Sequence, residues 1–211
     1  MTIIDTDILE LDLSKCNKKL KIFPFDPKLY IQRGMIYFKL AQLNYSLKDF
    51  NKAEELNPQL TPYLWQRGLT YYYLGKYAKA GRQFELDLSV NSQDMEETLW
   101  LYLAIAKLEN PHTAQDCLLP VKYDPRAFMR QIYQVFAGKS NISTLTNINQ
   151  NAGLKEIFFS YLYAGLYYFV RGDNANANLY IKRAIEFKIN DYMWHLACVH
   201  LYSTSFQHKN I

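Results

Sequence analysis

Cysteine is scarce in this sequence, and the little there is does not pair. Cys16, Cys117 and Cys198 are odd in number and far apart. That excludes a disulfide framework and points to free thiols in a reducing compartment. Histidine is equally sparse, at four positions: His112, His195, His200 and His208. His195 and Cys198 stand three apart on an expected helix, a spacing that allows a shared metal. No third ligand accompanies them, so a structural histidine is expected, and no metal. No apolar run approaches the ~20 residues that span a bilayer. No phosphate loop, paired metal-binding Cys motif or nucleophile elbow occurs. Neither catalytic residues nor a cofactor are therefore expected, and the chain reads as a non-enzyme.

Charge of one sign is lacking too. Twenty-four basic residues against 20 acidic leave a net charge of +4. Lys15, Lys18, Lys19 and Lys21 form the only basic cluster, which reads as a solvated segment rather than a nucleic-acid patch. Asp5, Asp7, Glu10 and Asp12 stand among the first twelve residues with no basic residue. A secretory leader needs a basic start and a transit peptide avoids acids. The expectation is a soluble chain of the cytoplasm or of an organelle stroma or matrix.

What is present is a core and a repeat. Hydrophobic residues make up 49% of the chain and tyrosine alone contributes 18 positions, too much apolar surface for disorder. Gln32-Arg33-Gly34 returns as Gln66-Arg67-Gly68, Tyr37 as Tyr71, and Phe50 as Phe84, each 34 residues on. A fixed period of that length marks stacked helical hairpins. Glycine belongs where two helices come closest, because it has no Cβ to hold them apart. Its helix propensity is lower than that of alanine by ~1 kcal/mol, which the close approach must offset. Ala53 and Ala80 are small positions on the second helices, Pro58 ends the first copy, and Gly75 marks the turn of the second.

These residues resemble the tetratricopeptide repeat: Tyr30 or Leu64, then the glycine, the tyrosine, a turn glycine, the phenylalanine and a terminal proline. The resemblance implies an all-α right-handed solenoid of helical hairpins. Residues 1–24 read as an arm, with Leu9, Leu11 and Leu13 alternating as in an extended strand. Residues 25–119 hold three repeats, the third degenerate around Trp100, Ala104 and Lys107, and shortened by Pro111 and Pro120. Residues 120–153 hold bridging helices, one after Asp124-Pro125 ending at Gly138 and a short one over Ile142, Leu145 and Ile148. Residues 154–211 hold a fourth repeat, with Gly165, Tyr168, Gly172 and Ala177 in the template positions, and a final helix over Asp191–Phe206 that covers the exposed end of the stack.

Two finer resemblances add to this. Leu64-Trp65-Gln66-Arg67-Gly68, Tyr72-Tyr73-Leu74-Gly75, Gln83-Phe84-Glu85, Glu96-Glu97-Thr98-Leu99-Trp100 and Asp124-Pro125-Arg126 resemble a soluble repeat family of cyanobacteria, algae and plants with no assigned activity. Arg67-Gly68, Leu99-Trp100-Leu101-Tyr102-Leu103-Ala104 and Tyr163-Ala164-Gly165-Leu166-Tyr167-Tyr168 are more distantly similar to the bacterial NlpI lipoprotein family of homodimeric adaptors. The second implies a possible homodimer. The signal peptide and lipid-bearing cysteine of that family have no counterpart here.

In such repeats the first helices line a concave groove. Counting from each glycine, the groove positions are Ile31, Met35 and Phe38, then Trp65, Leu69, Tyr72 and Tyr73, then Leu101, Ile105 and Leu108, then Leu162, Leu166 and Phe169. Nearly all are apolar. This wall suits an apolar or amphipathic peptide segment of a protein partner. Equally, the chain fills it with its own arm, its C-terminal half or a second subunit. Met35 and Leu69 stand where carboxylate-binding repeats carry asparagine, which excludes a carboxyl-tail clamp. RNA binding would need a basic, polar groove. The expected function is a protein–protein scaffold or adaptor, engaged in assembling a larger complex; the alternative is a permanent structural subunit of a multiprotein complex, organellar or photosynthetic among the settings considered.

Overall fold

Asp26 begins the first hairpin. Its carboxylate accepts the Lys28 N–H at 2.9 Å and Pro27 occupies the first turn, so helix α2 runs Pro27–Lys39. The computed structural model describes residues 6–149 and 151–207. In order the helices are α1 (Thr6–Ile22), α2, α3 (Leu43–Leu56), α4 (Trp65–Tyr73), α5 (Tyr77–Val90), α6 (Met95–Leu108), α7 (Pro111–Asp116), α8 (Ala127–Phe136), α9 (Ser143–Thr146), α10 (Leu154–Val170), α11 (Asn174–Glu186) and α12 (Tyr192–Gln207). A 3-10 turn, Pro58–Tyr63, precedes α4, with Pro58 in its first turn and Pro62 inside it. No strand occurs among the described residues, and the fold is an all-α helical solenoid.

The period seen in the sequence is a period of contacts. A Cβ on Gly34 would lie 3.2 Å from the Phe50 ring, one on Gly68 2.7 Å from the Phe84 ring, and one on Gly165 2.6 Å from Ile181 Cγ1. Each partner lies 16 residues on, across its own hairpin: α2/α3, α4/α5 and α10/α11. The arginines before the glycines follow the same rule. Arg33 donates twice to Asp49 at 2.7 Å, and Arg67 donates to Gln83 at 2.8 Å, both at a separation of 16. Arg67 also reaches back to Glu54 of the preceding hairpin, which ties neighbouring units together.

The turns repeat as well. After α4, Gly75 (φ 70°) donates to Tyr72 O and Lys76 to Tyr71 O, the paired bonds that close a helix on a left-handed residue. Gly172 (φ 81°) does the same after α10. After α2 the residue in this role is Ala41 (φ 57°), 34 before Gly75. The third hairpin has no such turn. Sixteen residues beyond Ala104 stands Pro120, and α7 stops at Asp116, so no second helix is there to meet it. Helix α8 instead packs against α6 and α10 and carries the stack across the gap.

Two expectations are corrected. The arm is helical from Thr6, and its extended reading fails because burial follows a helical face: Leu9, Cys16 and Leu20 are buried, whereas Leu11 is 56% exposed. Helix α1 packs on α2 through a small cluster of Cys16, Leu20 and Leu29, and the Cys16 thiol donates to Leu29 O at 3.4 Å. The first five residues of that arm, with Asp5, and also His208 lie outside the described residues. The final helix, α12, packs on α11 as an end cap would, but it also crosses to α2 near the start of the chain. A single core cluster accordingly runs from Phe38 through to Val199.

The tightness of the three glycine contacts orders their substitutions. Gly68→Ala and Gly165→Ala should each lower stability by about 1–2 kcal/mol, the overpacking cost less the helix-propensity gain. Gly34→Ala, with its roomier 3.2 Å contact, should be near neutral. Ala41→Gly should raise stability by about 0.5–1 kcal/mol, the relief of left-handed strain less the freer unfolded chain. Urea midpoints check all four, and equal values for the three glycine variants would contradict the ordering.

Candidate functional site

The concave face is occupied by the chain itself. Tyr192, the first residue of α12, stacks on Phe38 at 5.3 Å between centroids and meets Trp65 edge-on at 5.5 Å. Two turns further along, His200 shares a 3.2 Å hydrogen bond through Nδ1 with the Tyr73 hydroxyl. Its ring lies edge-on to Phe169 at 4.7 Å. Lys107 places its ammonium 4.5 Å from the Phe169 ring centre. Burial, and then Lys107, push His200 down to about 4, so the imidazole is neutral at pH 7.

The thirteen expected groove positions are therefore not one open wall. Phe38, Leu69, Tyr72, Leu101, Leu162 and Leu166 are buried in the core. Ile31, Met35, Trp65, Tyr73, Ile105 and Phe169 are half-buried, and only Leu108 is largely exposed, at 53%. Met35 borders a hollow against α1, with Asp12, Cys16 and Lys39. Leu101 faces α5, where its Cδ1 is the nearest atom to a Cβ built on Gly81.

One opening remains where α12 meets the stack. A cavity of about 300 Å3 is lined by Trp65, Phe84, Trp100, Tyr192 and Met193 and by four carboxylates, Asp94, Glu96, Glu97 and Asp191. The carboxylates are placed by helix starts. Asp94 caps α6 by accepting the Glu97 N–H at 2.9 Å, and Asp191 accepts the Met193 N–H at 3.0 Å at the head of α12. Glu96 is paired with Arg126 at 2.7 Å. Asp94, Glu97 and Asp191 have no cationic side chain within ion-pair distance among the described residues. Burial, reinforced by Asp94, Asp87 and Glu96, raises the Glu97 carboxyl to about 8, and its Oε2 is buried without a partner. Burial likewise raises Asp87, behind the cavity on α5, to about 7.

Of the residues expected from sequence, only Trp65 lines this cavity. Glu96 and Glu97 lie in the first turn of α6, a favourable place for negative charge, but that position does not give their neighbours. The signal for the rest was the run Asp94-Met95-Glu96-Glu97 just ahead of Trp100. Nothing local marks Asp191 and Tyr192 as its opposite wall. The four carboxylates do not converge: among the described residues no three His, Cys, Asp or Glu side chains are grouped to hold a metal. His195 and Cys198, the spaced pair, sit in α12, where burial raises the thiol to about 12 and keeps it protonated. The cavity therefore suits an organic group with an apolar stem and a positive end. The aromatic faces attract a cation, and a carboxylate can receive it.

Comparison with known proteins supports the architecture. A tetratricopeptide repeat protein from Parabacteroides merdae superposes with a TM-score of 0.58 and 19% identity, over 91% of this chain and 77% of that one. The Protein SGT1 homolog of Bos taurus is 30% identical over 89 residues, 42% of this chain. The chain spans about a quarter, 26%, of the length of that curated relative. No family model matches the chain. The shared fold is that of the tetratricopeptide repeat. No helix among the described residues is long and apolar enough to cross a membrane.

The buried carboxyls make stability depend on pH in a stated direction. Unfolded, they ionise near about 4; folded, Asp87 and Glu97 hold their protons to about 7 and about 8. Their contribution is full below about pH 4 and is lost as pH rises through those values. His195 and His200, both lowered to about 4 by burial, act oppositely but only below their ordinary value of about 6.5. The urea midpoint should thus fall between about pH 6.5 and 8, and Glu97→Gln should flatten part of that fall. A profile indifferent to Glu97→Gln would contradict the buried-carboxyl account.

Proposed function

We propose that this chain, a tetratricopeptide-repeat fold closed on its own C-terminal helix, is a non-catalytic scaffold that seats an amphipathic segment of a protein partner at the α4–α6–α12 cavity. The observation that carries the reading is the juxtaposition of Trp65, Trp100 and Tyr192 with the carboxyl groups of Asp94, Glu97 and Asp191, which have no cationic partner among the described residues. A lysine or arginine of the partner would lay its methylenes on the rings and set its charge among the carboxylates. Helix N-termini favour anions, but each of these two carries its own aspartate, which offsets the positive end. An apolar neighbour on the same segment would rest on the half-buried Trp65. Elsewhere on the expected groove, Tyr192 and His200 already meet Phe38, Tyr73 and Phe169.

Glu97 gives the contact a pH signature. Its carboxyl holds a proton to about 8 in the free protein, so an arriving cation displaces that proton and is bound more tightly as pH rises from about 6.5 to 8.5. Selection from a random-peptide display library should enrich sequences with a basic residue beside an apolar one. Trp65→Ala should weaken the selected peptide at least tenfold, and Glu97→Gln should remove the rise with pH while the helical circular-dichroism signal stays unchanged. No enrichment, or enriched peptides indifferent to both substitutions, would reject the proposal.

A further inference from the structure

Away from the residues that line the α12 cavity, the connection from α1 to α2 exposes large apolar side chains that no described residue covers. Ile22 is 70% exposed, Phe23 59% and Phe25 78%. Their backbone is held in place. Phe23 N–H donates to Lys19 O at 2.8 Å, Asp26 N–H to Phe23 O at 3.3 Å, and the Tyr30 hydroxyl to Pro24 O at 3.0 Å. The rings are thus presented outward on a braced turn. Around them stand Lys18, Lys19, Lys21 and Lys28, all exposed and none paired with a carboxylate among the described residues.

We infer that this turn docks the protein reversibly on an anionic lipid surface, with Ile22, Phe23 and Phe25 entering the headgroup boundary and the four lysines resting on lipid phosphates and carboxylates. Three observations favour a bilayer over a protein partner. The three side chains together expose on the order of 400 Å2 of apolar surface, about half of the ~800 Å2 per partner that a stable protein interface buries. Lysine is depleted from protein interfaces and arginine enriched there, and this rim is all lysine. Finally, Lys28 lies in the first turn of α2, where the helix dipole disfavours a cation, so helix electrostatics do not account for it. Flexible ammonium groups suit a fluid array of anions that offers no fixed geometry. One apolar element plus one basic patch is also the combination that gives stable but reversible attachment. The inference is independent of the cavity at α12.

The test is sedimentation of the intact protein with vesicles of phosphatidylcholine alone and of phosphatidylcholine mixed with phosphatidylserine. Binding to the mixed vesicles, weakened by added salt, is expected. Phe23→Ser with Phe25→Ser should reduce it at least tenfold, and Lys21→Gln or Lys28→Gln about fivefold each. All four positions are exposed, and an unchanged circular-dichroism melt confirms that the variants fold. No sedimentation with the mixed vesicles, or sedimentation indifferent to the two serine substitutions, would overturn the inference. So would a dimer in sedimentation velocity that the serine pair dissolves, which would assign the turn to a second copy of the chain.

Discussion

Everything in this molecule depends on how closely two helices of a hairpin can approach. At Gly68 and Gly165 there is no room for a further carbon beside Phe84 and Ile181, and at Gly34 the fit beside Phe50 is tight. That contact sets the spacing of each pair, the spacing sets where Arg33 and Arg67 find their acceptors, and the arginines in turn lock one unit to the next. Dispersion across such an interface is lost steeply with separation. A glycine in mid-helix is therefore less a weakness than the condition for packing. Where the pattern lapses, at Ala104 with Pro120 sixteen residues on, the hairpin lapses with it and α8 takes over its packing role.

The second constraint is the closure by α12. An apolar concave wall left in water would be a large unfavourable surface, and the chain covers much of it with Tyr192 and His200. The covering has an electrostatic consequence. Groups that would titrate in water are moved into apolar surroundings, so His195 and His200 stay neutral while Glu97, beside the cavity, keeps its proton to unusually high pH. The cavity at the start of α12 is accordingly a place of strong, poorly screened fields. Rings and carboxyl groups stand together on both of its walls, which is why we read its chemistry as suited to a basic side chain.

The hairpins were legible in the sequence because their information is local and repeated. Glycine, aromatic and turn residues recur at a fixed spacing, and a positive-φ turn or a missing Cβ has few substitutes. Two features were not legible, for different reasons. In α1, Leu9, Leu11 and Leu13 satisfy a period of two as well as their neighbours satisfy a period of 3.6, and only the packing of Cys16 and Leu20 on α2 decides between them. In α12 apolar residues run almost all round, with Met193, Trp194, Leu196, Ala197, Cys198 and Val199 all buried, so no stripe announces which helices it will meet. The cavity inherits that difficulty. Its two walls, at Asp94 and at Asp191, come together only through a contact between the two ends of the repeat array, and no spacing rule reaches that far.

The contact between α12 and α2 also changes how the solenoid behaves as a material. An open array of hairpins is held by nearest-neighbour interfaces, so it can stretch like a spring and peel from either tip. Here the last rod is clasped to one of the first, and an extension that parts one neighbour from the next must also break the clasp. The body from Phe38 to Val199 shares one core and so melts as one unit, while α1, fastened by a cluster of its own, is free to loosen first.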